Sequence, residues 1–402
     1  MKTETKQRIE QIHRGEVPER YVKTALGLAP ANWKRYTFGD IYTERKEPGD
    51  ENLPLLMVSI HSGVSDGEVD AAELPKQVKR IEDKSQYKKA VSGDLVFNMM
   101  RAWQGAIGTV RTTGMVSPAY IVAEPNDKAY PLFMDYYSRT PQMINQIDRQ
   151  SYGVTDFRKR LYWDSFAPIS CTLPPIEEQQ KIAAILTTQD RVIELKGKRL
   201  AEKQRQKKYL MQQLLTGKKR LPGFAFEVEK TNIKAISTYS VSTISQTMLE
   251  SYEGKQLYPV FNANSIAGHV DFYENECPYI SIIKDGAGIG RVRLCEAKSS
   301  TIGTMGCIHA RKGISIIFLY YLLEQVDFNK YSNGSTIPHL YYKDYSCEKV
   351  RIPDIKEQTA IAEVLSAADR EIELLQQDIE QEKQKKKALM QLLLTGIARV
   401  KT

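Results

Sequence analysis

Side chains that can hydrogen-bond to DNA bases gather near glycine-containing turns in two parts of the chain. In the major groove, arginine and lysine match guanine, asparagine and glutamine match adenine, and aromatic groups contact the thymine methyl. In the first part the candidates are Arg101, Gln104, Arg111, Arg158, Lys159 and Arg160. In the second part they are Asn262, Asn264, Lys284, Arg291 and His339, with Tyr341 nearby. Ordinary solvated surface explains any single one of them equally well, and the sequence does not rank them.

The distribution of charge permits a nucleic-acid partner without showing one. The net charge is +8. Residues 171–221 carry 12 basic and 5 acidic side chains, whereas residues 30–170 and 222–351 are neutral overall. Because the excess of positive charge lies in one lysine-rich stretch, composition alone does not show that the neutral segments bind DNA.

Motifs of catalysis and metal binding are missing from the sequence. It contains no G-x-x-x-x-G-K-S/T phosphate loop, no Asn- or Asp-Pro-Pro-aromatic tetrapeptide of adenine methyltransferases, and no nuclease motif. Residues 285–290 read DGAGIG, which predicts a turn rather than a nucleotide site. The five histidines and five cysteines show no metal-ligand spacing. We therefore predict a chain without a catalytic centre, metal or bound cofactor.

No segment has the apolar length of a membrane span, and the polar N-terminal stretch is unlike a secretory signal. Cytoplasmic localisation is expected.

An internal repeat is the strongest feature of the sequence. The segment LPPIEEQQKIAAILTTQDRVIEL from Leu173 recurs as IPDIKEQTAIAEVLSAADREIEL from Ile352, and KKYLMQQLLTG recurs as KKALMQLLLTG, always 179 residues later. Between Pro174 and Arg220, 22 of 47 positions are identical to their partners.

Each copy predicts one long helix. A proline precedes the acidic first turn, apolar residues recur at heptad spacing, and Gly217 or Gly396 provides a C-terminal cap. About 36 residues would span roughly 54 Å. Gly197 interrupts the first copy at a cost of about 1 kcal/mol. Since about 130 residues separate the two helices, we predict an antiparallel pair within the chain, with a generic coiled coil as the alternative.

The segments between the helices are diverged copies of one another. Leu161-Tyr162-Trp163 recurs as Leu340-Tyr341-Tyr342 at the same distance ahead of each helix. Short β-type runs and two helical stretches, around 132–147 and 316–326, indicate a mixed α+β fold. The predicted order is an N-terminal segment and then two repeats of a domain followed by a helix: 1–29, 30–172, 173–221, 222–351 and 352–402.

The L/I-P-x-I-x-E-Q opening, the D-R-x-I-E-L core and the L-M-Q-x-L-L-T-G ending resemble the paired conserved regions of type I restriction-modification specificity (S) subunits. The resemblance implies two target-recognition domains separated by an antiparallel coiled coil, reading a two-part site in double-stranded DNA. It also implies two methyltransferase (M) and two restriction (R) subunits as partners. S-adenosylmethionine, ATP and Mg²⁺ would belong to those partners rather than to this chain.

Lysines recur near the end of each helix, at heptad seam positions where an unpaired buried charge is costly. One interpretation is that they face partner subunits; the alternative is that they reach solvent. The predicted docking residues are Lys207, Lys208, Met211, Lys386, Lys387 and Met390. Two other functions remain open: a subunit of a related combined restriction-modification system, and a coiled-coil scaffold that binds no nucleic acid.

Overall fold

The computed structural model describes residues 3–24, 27–50, 52–60, 63–65, 86–155, 158–225, 228–255, 257–286, 288–334 and 338–400. The chain divides into two compact units. Unit 1 contains Met1–Leu195 and Glu380–Thr402, and unit 2 contains Lys196–Ile379. Both ends of the chain therefore belong to unit 1.

Unit 1 is built from short strands and helices that precede the first repeat. Its helices are α1 (Thr3–His13), α2 (Phe38–Ile41), α3 (Pro131–Tyr137), α4 (Pro141–Arg149) and α5 (Trp163–Phe166). Its strands are β1 (Tyr21–Thr24), β2 (Gly27–Pro30), β3 (Lys34–Thr37), β4 (Tyr42–Glu44), β5 (Val58–Ser59), β6 (Gly63–Val64), β7 (Lys88–Ala90), β8 (Leu95–Asn98), β9 (Ile107–Thr109), β10 (Gly114–Val116), β11 (Tyr120–Pro125) and β12 (Ser170–Leu173).

The principal sheet of unit 1 is antiparallel, with strand order β4-β11-β8-β9. Strand β8 is apolar and largely buried. It pairs with β11, with Leu95 opposite Ala123 at one end and Asn98 opposite Tyr120 at the other. Below the sheet, the Phe166 ring lies 4.3 Å from that of Phe38 and 4.6 Å from that of Phe97. Burial of such aromatic rings contributes strongly to a core.

The two repeats form the long helices α6 (Ile176–Leu214) and α11 (Ile355–Leu393), each of 39 residues, or roughly 58 Å. Gly197 does not interrupt α6. As predicted, glycines follow both helices in the left-handed conformation, with φ of 68° at Gly217 and 72° at Gly396. Their amides donate to the carbonyls of Leu214 and Leu393.

Unit 2 repeats the plan of unit 1. Its strands are β13 (Glu229–Asn232), β14 (Ser237–Val241), β15 (Tyr258–Phe261), β16 (Ile266–Val270), β17 (Tyr279–Ile283), β18 (Val292–Cys295), β19 (Ser300–Thr301), β20 (Met305–Ala310), β21 (Ser332–Asn333), β22 (His339–Leu340) and β23 (Lys349–Ile352). Its short helices are α7 (Ile233–Ile236), α8 (Gln246–Glu250), α9 (Ile316–Glu324) and α10 (Tyr342–Tyr345). The sheet order β14-β20-β17-β18 matches that of unit 1.

In both units the long helices supply part of the core. Ile182 and Leu186 of α6 join the main cluster of unit 1 together with Leu393 of α11. In unit 2, Met211 of α6 and Leu365 of α11 pack with the sheet residues. In each unit, the segment ahead of the long helix is therefore folded around residues of both repeats.

Unit 1 departs from the sequence prediction of one helical stretch over 132–147. The structure has two helices there, because Pro141 lacks an amide hydrogen and disfavours helical backbone in the preceding residue. Thr140 is extended and its side chain accepts a hydrogen bond from the Met143 amide, which starts α4. The predicted mixed α+β fold is confirmed. Within the described ranges, no helix is both long and apolar enough to span a membrane.

Candidate nucleic-acid interface

Two loops of unit 1 bring most of the first set of candidates together. We call residues 99–106 and the described residues of 152–160 the first loop pair. Leu161 donates to the Met99 carbonyl at 2.8 Å, and Lys159 lies 4.8 Å from the centre of the Trp103 ring. Arg101, Gln104 and Arg158 are exposed, and Arg160 is half-buried. The loop pair thus presents a basic surface on a fixed backbone.

Unit 2 holds the second set of candidates on the equivalent loops. The second loop pair comprises the described residues of 284–291 and 332–341. Leu340 donates to the Lys284 carbonyl at 2.8 Å, the same hydrogen bond that Leu161 makes in unit 1. Nδ1 of His339 lies 2.7 Å from Asp285, whose other carboxylate oxygen lies 2.5 Å from the Lys284 ammonium. Asp285 therefore orients two of the candidate base-contacting groups.

The hairpin tip between β15 and β16 is hydrogen-bonded to the second loop pair. Asn262 uses its side-chain oxygen to accept hydrogen bonds from the amides of Asn264 and Ser265, so it shapes the tip between β15 and β16. Arg291 donates to the Asn264 side chain at 2.9 Å. Asn262 is thus a turn-forming residue here, whereas Asn264 and Arg291 are both exposed.

Charge is balanced inside the second loop pair. Burial alone would raise the pKa of Asp285, but the hydrogen bonds from Lys284 and His339 outweigh it and hold that pKa below its ordinary value. The carboxylate is therefore ionised at neutral pH and partly offsets the positive charge beside it.

Arg111 lies apart from the other unit 1 candidates. It follows the far end of β9, and its guanidinium is 3.5 Å from the buried carboxylate of Asp135 on α3. Asp135 also accepts from the Thr109 amide and binds Arg139 at 3.0 Å. The structure gives Arg111 a place in this internal network rather than in the first loop pair.

Exposed aromatic side chains lie within or beside the loop pairs, and among them only Tyr341 is a candidate from the sequence. Tyr152 is 62% exposed and Tyr162 is 54% exposed in unit 1, and Tyr341 is 49% exposed in unit 2. Tyr162 and Tyr341 occupy the same position of the repeat. That recurrence was the signal that could have identified Tyr162, because aromatic rings provide apolar contacts to bases.

The first turn of each long helix is hydrogen-bonded to the segment that precedes it. In unit 1, Gln179 accepts from the Tyr130 amide and donates to the carbonyls of Lys128 and Pro174. Gln358 makes the corresponding bonds to Ser315, Gly313 and Pro353 in unit 2. Both side chains are almost fully buried.

Ion pairs join the start of one repeat to the end of the other. Glu178 of α6 accepts two hydrogen bonds from Arg399, at 2.8 and 2.7 Å, within unit 1. In unit 2, Glu357 of α11 accepts a hydrogen bond from Nε of Arg220 at 2.6 Å. The two glutamates and the two arginines are repeat equivalents, 179 residues apart.

The lysines predicted to face partner subunits have partners inside this chain. Lys207 lies 2.7 Å from Asp369, and Lys386 lies 2.5 Å from Asp190. Met211 is buried and Met390 packs against a core. The recurrence of the seam lysines therefore requires no partner subunit, and neither lysine reaches freely into solvent. Of the six predicted docking residues, Lys208 and Lys387 are exposed.

The part of the chain that the structure describes contains no group of three or more histidine, cysteine or acidic side chains placed to hold a metal ion.

Comparison with known families gives the class of the protein. A family model described as the type I restriction modification DNA specificity domain matches residues 72–204 and 226–384. These two matches cover well over half of the chain, so the chain belongs to this family.

Curated relatives agree over nearly the full length. The chain is 23% identical to the putative specificity subunit of the type I restriction enzyme MjaX from Methanocaldococcus jannaschii, covering 96% of this chain and 98% of the relative. It is 25% identical to the specificity subunit of the type I restriction enzyme MjaVIII from the same organism, over 79% of this chain and 83% of the relative.

Solved structures show the same fold. The S subunit of a type I restriction-modification system from M. genitalium superposes with a TM-score of 0.60 over 92% of this chain and 97% of that one, at 14% identity. A chain from a type I system whose assembly and conformational transition were determined gives 0.55, over 92% and 99%, at 17% identity. The protein is a type I restriction-modification specificity subunit, which confirms the resemblance carried by the repeats.

Proposed function

We propose that each unit reads one half of a two-part DNA site through its loop pair. The observation that carries this proposal is that the same backbone hydrogen bond fixes both loop pairs, while their exposed side chains differ. Arg101, Gln104 and Arg158 occupy the first loop pair, and Lys284, Arg291 and His339 the second. A shared scaffold with different side chains is what two different base sequences require.

We further propose that α6 and α11 form an antiparallel coiled coil that serves as the spacer between the half-sites. Supporting contacts occur within each unit. In unit 1, Gln189 of α6 donates to the Glu382 side chain of α11 at 2.6 Å. In unit 2, Lys196 of α6 lies 2.8 Å from Asp378 of α11. The order of these contacts along the two helices runs in opposite directions.

The proposed function is non-catalytic, with chemistry supplied by partners. Two M subunits would carry S-adenosylmethionine, and two R subunits would use ATP and Mg²⁺. Lys208 and Lys387 are exposed at equivalent repeat positions, as are Leu195 and Leu374. Such duplicated surfaces support the docking of two copies of one partner, since identical partners need matching patches.

The test is methylation mapping in cells that express the chain with its M subunit. Alanine at Arg101 and Arg160 should relax or abolish recognition in one half of the methylated motif only. Alanine at Lys284 and His339 should affect the other half only. The expected loss in methylation of the wild-type half-site is about 5- to 150-fold for each base contact removed, from about 1–3 kcal/mol per contact.

Lys312→Ala is the matched control, because Lys312 is an exposed cation of unit 2 outside the loop pair. It should leave the motif unchanged. Both halves changing together in either double variant would contradict independent reading by the two units. Methyl transfer by the purified chain alone, from S-adenosylmethionine to DNA, would contradict the non-catalytic assignment.

A further inference from the structure

A lysine, an aspartate and a tyrosine meet at one junction of three helices in unit 2. The Lys207 ammonium of α6 lies 2.7 Å from Asp369 of α11 and 3.2 Å from Glu324 of α9. It also lies 5.3 Å from the centre of the Tyr321 ring of α9. Tyr321 donates its hydroxyl to the other oxygen of Asp369 at 2.7 Å. The junction therefore ties the recognition segment of unit 2, residues 222–351, to both long helices; residues 30–172 form that of unit 1.

Unit 1 contains the same junction with the two long helices exchanged. Lys386 now comes from α11 and lies 2.5 Å from Asp190 of α6. The Tyr136 ring of α3 lies 5.3 Å from the ammonium, and its hydroxyl donates to Asp190 at 2.6 Å. The lysines and aspartates are repeat equivalents, 179 residues apart, and α3 and α9 occupy equivalent places in their units.

The contacts of the junction are better suited to fixing the orientation of the helices than to adding stability. The ion pairs of both junctions are partly exposed, since the Asp369 and Asp190 side chains are 37% and 36% exposed, and such pairs contribute little to stability. Polar groups at a helix seam are instead suited to fixing one register, because each donor must find its acceptor. Burial raises the pKa of both tyrosines, so their hydroxyls remain donors. In this chain the recognition segments have diverged, whereas both junctions have been retained.

We propose that these Lys–Asp–Tyr junctions set the orientation in which each recognition segment is held on the long helices, and so determine the spacer length that the protein accepts. This inference rests on the proposed function, since spacer length has meaning only if each unit reads one half-site. Lys207, Asp369, Tyr321 and their unit 1 equivalents are positioning residues that touch no base.

The test uses the chain assembled with its M subunit and DNA duplexes that carry the mapped half-sites. The spacer is the natural length or one base pair shorter or longer. Tyr321→Phe removes only the hydroxyl that orients Asp369, and Lys207→Met removes the charge. For each variant we expect the ratio of methylation rates, natural over altered spacer, to fall at least tenfold. Bases within the half-sites should remain discriminated as in the wild type.

Three further variants serve as comparisons in this experiment. Lys207→Arg retains the charge and should preserve most of the spacer preference, and Tyr136→Phe tests the unit 1 junction in the same way. Arg205→Met on the exposed face of α6 should leave the ratio unchanged. A Tyr321→Phe protein that melts at a lower temperature but keeps the wild-type ratio would reduce the junction to a stabilising contact and overturn the proposal.

Failure of the proposed function would look different. In that case the wild-type complex would methylate no two-part motif, or would act on all three spacers at one rate.

Discussion

Replacing Arg399 by methionine should destabilise unit 1 selectively. Glu178 is fully buried, and Arg399 donates two of its hydrogen bonds. Trp33 donates a third from its indole at 3.3 Å. Without the guanidinium, the carboxyl group would remain buried with one neutral side-chain donor, which is an unfavourable environment for an acidic side chain.

The size of the effect follows from this geometry. Loss of one partner from a buried ion pair costs about 3–5 kcal/mol. The Arg399 side chain is 31% exposed and the Trp33 donor remains, so we expect the lower end, about 3 kcal/mol. In a unit of roughly 200 residues, each kcal/mol lowers Tm by about 2–4 °C. The melting temperature of unit 1 should therefore fall by about 6–12 °C.

The chain offers a built-in assay for unit 1. Its three tryptophans, Trp33, Trp103 and Trp163, all lie in that unit. Intrinsic tryptophan fluorescence therefore follows the unfolding of unit 1, whereas far-ultraviolet circular dichroism follows both units. The matched variant is Arg220→Met, which removes the equivalent partner of Glu357 in unit 2. It should shift part of the dichroism transition and leave the fluorescence midpoint unchanged.

Two control variants test whether the buried ion pair causes the loss of stability. Arg205→Met removes an exposed arginine of α6 and should change Tm by less than 2 °C, since exposed pairs contribute little. Adding Glu178→Gln to Arg399→Met should recover part of the loss, because a neutral amide costs less to bury. A fluorescence shift below 2 °C for Arg399→Met would refute the reasoning. Equal shifts for both methionine variants would mean that the two units unfold together.

Three further predictions follow from the long helices. Gly197→Ala should raise Tm by about 2–4 °C in a thermal melt, since the added methyl group meets no atom within 4 Å and removes a helix penalty of about 1 kcal/mol; a lower Tm would contradict this. Glutamate at both Leu195 and Leu374 should reduce co-purification of the M subunit without altering the dichroism spectrum, and unchanged co-purification would rule out docking there. Seven residues inserted after Leu195 and after Ile379 add about 10.5 Å to each helix, or about three base pairs. Methylation mapping should then return both half-sites with a longer spacer, and an unaltered spacer would refute the spacer role.

The elements that the sequence predicted well are those with a local signal. Heptad spacing and the Thr-Gly endings located both long helices. Leu161 and Leu340, read as echoes of one another, make the same hydrogen bond in the two units. Such features depend on neighbours in the chain, which a single sequence displays.

The interactions that the sequence did not predict are formed between distant residues. Lys207 appeared to be an unpaired seam lysine because Asp369 and Glu324 come from other helices, more than a hundred residues away. Arg399 and Glu178 are 221 residues apart. Hydrophobic periodicity reports only that a face is buried, not which charge meets another across it. The sequence likewise did not indicate that Arg111 contacts Asp135, because Asp135 lies on a different element.

The exchanged ion pairs make each repeat depend on the other. Glu178 stands at the beginning of the first repeat and Arg220 at its end, with a helix of 39 residues between them. Glu178 belongs to unit 1, whereas Arg220 belongs to unit 2. In both units the buried glutamate accepts its charged hydrogen bonds from the arginine of the other repeat. A chain with a single repeat could bury its glutamate in this way only against a second copy of itself. Duplication therefore satisfies both buried carboxylates within one molecule, and it leaves the two recognition segments free to diverge.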